Sequence, residues 1–150
     1  AVQRGTWAGL LELCASDPQL HPALGLHPVY LQRHRVEDIQ ALADQINRHG
    51  PVAIGEIGLD YHYNLSPPET QREVFRKQIR VARRLGLPLI IHHRVSDPQA
   101  RFVASGTLKD CLFPGAPSRS FQRILSGDGA EISLTAVMPK DLVARFSSLF

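Results

Sequence analysis

Residues 51–94, PVAIGEIGLDYHYNLSPPETQREVFRKQIRVARRLGLPLIIHHR, decide the fold. Val52 to Leu59 is a short run that is apolar on both faces except at Glu56, the pattern of a strand covered on both sides. Ser66-Pro67-Pro68-Glu69 has capping-box spacing, with proline at the first helical position. Val74, Phe75, Ile79, Ala82 and Leu85 recur at helical spacing and form the buried side. Gly86 is the expected residue just past the helix end, and Pro88 prevents its continuation. Leu89 to His92 is a second short apolar strand. Strand, helix and strand in this order predict parallel pairing with a right-handed crossover.

The pattern extends toward the N-terminus. Ala23 to His27 is another apolar run, stopped by Pro28, and reads as a buried strand. Val36 to His49 is a helix, with Ile39, Leu42, Ala43 and Ile46 on one face and Gly50-Pro51 as its stop. Trp7, Leu10, Leu11 and Cys14 share the face of an earlier helix that Asp17-Pro18 ends. A chain that opens almost at once on a helix reads as part of a longer one. Beyond Pro98 the signal weakens. Glu131 to Val137 reads as a strand, Pro139 to Phe150 as a helix, and Ser105 to Gly129 as loop with a turn or two of helix near Phe121 to Leu125. The organisation is therefore one domain, with an α/β core over residues 1–98 and a divergent tail over residues 99–150.

Composition narrows the class. The chain has 150 residues, 43% of them hydrophobic, enough for a sizeable core. Its formal charge is only +3, which alone does not argue for nucleic acid. The two cysteines, Cys14 and Cys111, have no CxxC spacing, so neither a disulfide framework nor a cysteine zinc site is expected. No apolar run approaches the roughly 20 residues of a membrane span. No secretion signal is visible at the start. A cytoplasmic protein with no membrane contact is the expectation.

Chemistry concentrates in the same stretch. All seven histidines lie between His21 and His93. A carboxylate in a buried strand needs a cation, a hydrogen-bonding partner or a raised pKa, so Glu56 is either a ligand or catalytic group or one half of an ion pair. His92 closes the next strand and His27 the preceding one. Ligands in parallel α/β folds bind beyond the carboxyl ends of strands, so three polar residues at successive ends converge on one mouth. Imidazole and carboxylate together suit a divalent metal. Arg94 either holds a phosphate in bidentate fashion or forms a salt bridge, for instance to Asp60. By strand alternation His93 points away from His92. His21, His34 and His49 read as solvated. Arg72, Arg76, Lys77, Arg80, Arg83 and Arg84 share one helix with only Glu69 and Glu73. A polyanion would be attracted there, although the solvated outer face of a crossover helix is the simpler reading.

At these residues the sequence resembles the TatD family of metal-dependent deoxyribonucleases, amidohydrolase-like enzymes on (β/α)8 barrels. Gly55-Glu56-Ile57-Gly58-Leu59-Asp60-Tyr61 is similar to the family's GEIGLDY motif, and Leu87 to Arg94 to its LPxxIHxR segment. Gln71 and the Phe75, Gln78, Ala82 spacing resemble its following helix, and Ala23 to Pro28 its GxHP strand. The likeness runs from about Gly5 to Pro98. It implies a partial (β/α)8 (TIM-type) barrel of parallel strands. It implies that Glu56 and His92 bind divalent metal (Mg, Mn or Zn), and that His27, Tyr61 and Arg94 line a cleft for DNA or another phosphodiester. The implied reaction is hydrolysis by metal-activated water.

The family's HxH, HxFSG and TDxP motifs are absent from the chain. Its length also falls short of the about 250 residues of a complete barrel. The reading is thus a copy truncated at both ends, with impaired activity. Two alternatives remain. One is a non-catalytic fragment that forms a homo-oligomer through unpaired strand edges. The other is a hydrolase of small esters or amides using the same site.

Overall fold

The computed structural model describes residues 1–95, 132–138 and 140, with side chains for 1–94 and 140. Helix α1 spans Arg4–Ser16, strand β1 Ala23–Leu24, and a 3-10 helix Pro28–Arg33. They are followed by α2 (Asp38–His49), β2 (Ala53–Asp60), α3 (Pro68–Leu85), β3 (Leu89–Val95) and β4 (Ile132–Met138). Apart from Lys140, the helix read at Pro139 to Phe150 lies outside the described residues, as does the loop read at Ser105 to Gly129.

One sheet has the strand order β1-β2-β3-β4. The first three strands are parallel, as the strand–helix–strand pattern requires. β4 runs antiparallel to β3, pairing Leu89 with Met138 through Val95 with Ile132. A strand at Glu131 to Val137 was expected from its apolar run, but its direction departs from an all-parallel barrel. An antiparallel edge strand needs no crossover helix to complete the hydrogen-bond ladder.

The core lies between the sheet and its helices. Leu24, Ile54, Ile57, Leu59, Leu89 and Ile91 pack with Val74, Phe75, Ile79 and Ala82 of α3 and with Leu42, Ala43 and Ile46 of α2. Burying one such large side chain contributes roughly 1.5–3 kcal/mol. Trp7 of α1 is buried, and its indole N–H donates to the Gly25 carbonyl at 3.1 Å.

Local chemistry accounts for the helix ends. α2 stops at Gly50 and α3 at Gly86, both left-handed, with φ of 56° and 65°. Pro68 stands at the start of α3, but the expected Ser66 cap does not form. Pro67 is the N-cap and has no side-chain acceptor, while Ser66 Oγ is buried without a hydrogen-bond partner among the described residues.

Two irregularities shape β2. Ile54 pairs with Leu89 and Ile57 with Ile91, so three steps on β2 face two on β3. The resulting bulge falls at Gly55-Glu56, whose peptide is cis, and it re-aims the Glu56 side chain. Gly58, at φ 144°, lies directly against β3, where a Cβ would stand 1.9 Å from the His92 carbonyl oxygen.

Candidate metal centre

Strands β2 and β3 and the turn beyond β1 deliver one polar side chain each to a common point. His27 lies past the end of β1 at the start of the 3-10 helix, and His92 lies within β3, which continues to Val95. Neither therefore closes its strand as the apolar runs predicted. Glu56 rises from the β2 bulge, with its side chain 30% exposed in a strand that is otherwise buried. Its carboxylate lies 3.3 Å from His92 Nδ1 and 3.8 Å from His27 Nε2. The two imidazole rings are 4.4 Å apart between centroids. One donor atom from each of His27, Glu56 and His92 falls within 4.8 Å of the others.

Hydrogen bonds fix the two rings differently. Asp60 Oδ2 lies 2.9 Å from His92 Nε2. The carboxylate can only accept, so the Nε2 proton donates to Asp60. In the neutral ring this leaves the Nδ1 lone pair facing Glu56. His27 caps the 3-10 helix, and its Nδ1 accepts from the Val29 N–H at 3.3 Å. Its ring proton is therefore on Nε2, the atom that faces Glu56.

Electrostatics follow from the burial. Desolvation, reinforced by the neighbouring His92, pushes His27 down to about 4, against the opposing pull of Glu56 and Asp60. Burial alone would raise the Asp60 carboxyl. The His92 hydrogen bond, the Tyr63 N–H and the charge of Arg94 outweigh it and hold Asp60 below the usual carboxylate range. Asp60 Oδ1 also accepts from the His62 and Tyr63 N–H groups at 3.1 and 2.8 Å.

Two buried glutamines of α3 hold the backbone around this point. Gln71 bridges Asp60, accepting from its N–H at 2.8 Å and donating to its carbonyl at 3.1 Å. Gln78 does the same for Leu26, the residue before His27, at 2.8 and 3.0 Å. Asp60, Gln71 and Gln78 hold His92 and the backbone around this point, a role that sequence reasoning did not assign them. The signal for the glutamines was present: two amides sit within an otherwise apolar helical stripe.

The other expected residues take defined places. The Arg94 guanidinium lies over the Tyr63 ring, 4.7 Å from its centroid. Its charge acts on Asp60, but Asp60 makes its direct pair with His92. The Tyr61 N–H donates to the Arg94 carbonyl at 2.8 Å, and its phenol adjoins Arg72 of α3. His93 does point away from His92; it is fully buried, and neither ring nitrogen has a hydrogen-bond partner among the described residues. Burial, with His92 adding to it, pushes His93 to about 4. His34, read as solvated, instead lies 3.5 Å from Asp38 with its side chain only 11% exposed. The 3-10 helix carries it onto the start of α2.

The chemistry of the donors suits a cation. Two acceptor atoms, His92 Nδ1 and a Glu56 oxygen, face each other at 3.3 Å. A second ring proton or a metal ion between them relieves that opposition. Imidazole and carboxylate gathered over parallel strands joined by crossover helices form a donor set of the kind that metal-assisted β/α hydrolases use.

Comparison with known proteins places the chain more narrowly. The profile of a family described as TatD related DNase matches residues 1–110, and the chain belongs to that family. The resemblance read from Gly55 to Tyr61 and from Leu87 to Arg94 is thereby borne out. The chain is 40% identical over 91 residues to the uncharacterized metal-dependent hydrolase YabD of Bacillus subtilis, covering 61% of this chain and 36% of YabD. It is 38% identical over 80 residues to the 3'-5' ssDNA/RNA exonuclease TatD of Citrobacter koseri, covering 53% of this chain and 30% of that protein. Among solved structures, the TatD homologue YjjV of Escherichia coli K12 superposes with a TM-score of 0.62 at 30% identity. That match covers 74% of this chain and 42% of YjjV. Among the described residues, no helix is long and apolar enough to cross a membrane.

Proposed function

We propose that this chain carries part of a metal-dependent phosphodiesterase site that acts on single-stranded nucleic acid, with Glu56 and His92 holding the metal. The observation that carries the reading is the opposed pair His92 Nδ1 and Glu56 Oε1 at 3.3 Å, with Asp60 holding His92 from the other side. Imidazole with carboxylate favours Mn or Zn, although Mg also suits the carboxylate. A bound divalent ion supplies Lewis acidity toward a phosphoryl oxygen and activates water for attack.

The chain's own residues supply the rest. Asp60 fixes the His92 tautomer and ring orientation. His27, neutral and protonated on Nε2, presents a hydrogen-bond donor beside Glu56 and so serves the substrate rather than the metal. Arg94, held over Tyr63, offers a guanidinium to a non-bridging phosphate oxygen. Tyr61 completes the cleft wall on the α3 side. The nucleic-acid substrate is suggested by relatives named as ssDNA/RNA exonucleases.

Calorimetric titration with Mn and Zn tests the centre. Wild type should bind, and Glu56→Gln and His92→Ala should each lose most of that affinity. Equal binding by all three proteins would overturn the assignment. A panel of single-stranded DNA, RNA and a small carboxylic ester, each with added metal, then tests the substrate. Turnover of the ester alone would replace the phosphodiesterase reading.

A further inference from the structure

The outer face of α3 carries a charge pattern that the metal centre does not use. Arg76, Arg80 and Arg84 are all exposed and follow one another at four-residue intervals. They form one row about 12 Å long, at 1.5 Å per helical residue. The two acids of the helix are occupied elsewhere: Glu69 pairs with Arg72 at 2.8 Å and Glu73 with Lys77 at 2.7 Å. Among the described residues, no carboxylate pairs with Arg76, Arg80 or Arg84.

Fold stability does not account for this row. Like charges at i, i+4 oppose helix formation. The helix dipole favours cations only in the last turn, which holds Arg83 and Arg84 but neither Arg76 nor Arg80. The repulsion registers locally: burial, and after it the charge of Arg80, pull the Arg83 guanidinium below its ordinary range.

Beside the row, α2 and α3 enclose a groove of about 410 Å³. Lys77, Arg80 and Arg84 line one wall, and Val36, Ile39 and Gln40 the other. α3 leaves the site end of β2 and runs back toward the start of β3, so the row leads away from the metal centre. The apolar face of α3 is already buried against the sheet. Of the groove's apolar side chains only Val36 is strongly exposed, too little to anchor a lipid surface. Guanidinium groups match phosphate in bidentate geometry.

We infer that the Arg76–Arg80–Arg84 row is a docking surface for a nucleic-acid strand, separate from the metal centre. That the docked strand is the non-reacting part of the substrate rests on the function proposed above; the binding itself does not.

Fluorescence anisotropy with a labelled oligothymidylate, in chelator and over a series of salt concentrations, tests the inference. Each phosphate contact contributes about 0.7 to the slope of log K against log salt for single strands. Arg76→Gln, Arg80→Gln and Arg84→Gln should each lower the magnitude of the slope by about 0.7, and the triple variant by about 2. A matching triple substitution to lysine should retain the slope. Glu56→Gln should not change it, so failure of the metal site and failure of this surface give different results. Three outcomes would overturn the inference: no binding by wild type at low salt, an unchanged slope in the glutamine variants, or equal displacement of the oligonucleotide by polyglutamate of the same charge.

Discussion

Replacing Gly58 with alanine would place a carbon 1.9 Å from the His92 carbonyl oxygen and 3.0 Å from the His92 carbonyl carbon. An ordinary C···O contact is about 3.3 Å, so β2 and β3 would have to separate by roughly 1.4 Å. Parallel neighbours sit about 4.8 Å apart, and N–H···O bonds lengthen little beyond about 3.2 Å before they weaken. The separation would break the ladder on both sides of Gly58. No flexible side chain can yield, because the obstructing atoms are backbone. Losing two ladder hydrogen bonds costs about 2 kcal/mol, and forcing alanine to φ 144° adds on the order of 1–3 kcal/mol. The expected loss is about 4 kcal/mol, a large share of the roughly 5–15 kcal/mol of a typical domain. Urea unfolding followed by fluorescence of Trp7, the chain's only tryptophan, measures it. Gly9→Ala is the control. Nothing lies within 4 Å of the added carbon there, so α1 should gain up to about 1 kcal/mol. A Gly58→Ala loss below about 1 kcal/mol, with an unchanged urea dependence, would refute the close approach of the two strands.

Asp60→Asn keeps the shape of the side chain but removes the charge that steadies His92. Metal affinity should fall by roughly 10–100-fold in competition with a chromophoric chelator, and an unchanged affinity would show that Asp60 does not support the centre. Gln78→Leu strands the buried Leu26 N–H and carbonyl, and should lower stability by about 3 kcal/mol in urea; a change under 1 kcal/mol would mean that the clamp is dispensable. His27 and His93 are both held near 4, below their unfolded value, so protons bind the unfolded chain more readily. Their contribution is complete above about pH 6.5 and declines as pH falls toward 4, by on the order of 3 kcal/mol for each group. Urea midpoints in chelator should therefore drop across this window and drop less in His93→Leu; an identical pH dependence of wild type and variant would refute the assignment for His93.

Much of this arrangement is legible in the sequence because it follows from strict periods. Glu56 stands out as the one carboxylate inside a buried apolar strand, His92 and Arg94 follow the next apolar run, and Pro68 and Gly86 mark the two ends of α3 by backbone geometry alone. What depends on tertiary partners is not legible. The run from Ala23 to His27 forms ladder pairs only at Ala23 and Leu24, because the Leu26 backbone bonds to Gln78 rather than to a strand. Asp60 reads as the start of a loop until the β2–β3 register shows its carboxylate beside His92. His34 reads as solvated because only the 3-10 helix brings it over Asp38. The apolar run that forms β4 carries no information about its direction.

The glutamine clamps have a further consequence. Gln71 and Gln78 are two helical turns apart, and each grips the backbone beside one of the strand ends that furnish the site. α3 therefore acts as a gauge: its rise per turn sets the offset between the end of β1 and the end of β2. Inserting a single residue between the two amides would rotate one against the other by about 100°, and no adjustment of the helix as a whole could seat both. The spacing of His27 from Glu56 and His92 is in this sense measured out by a helix that contributes none of the three.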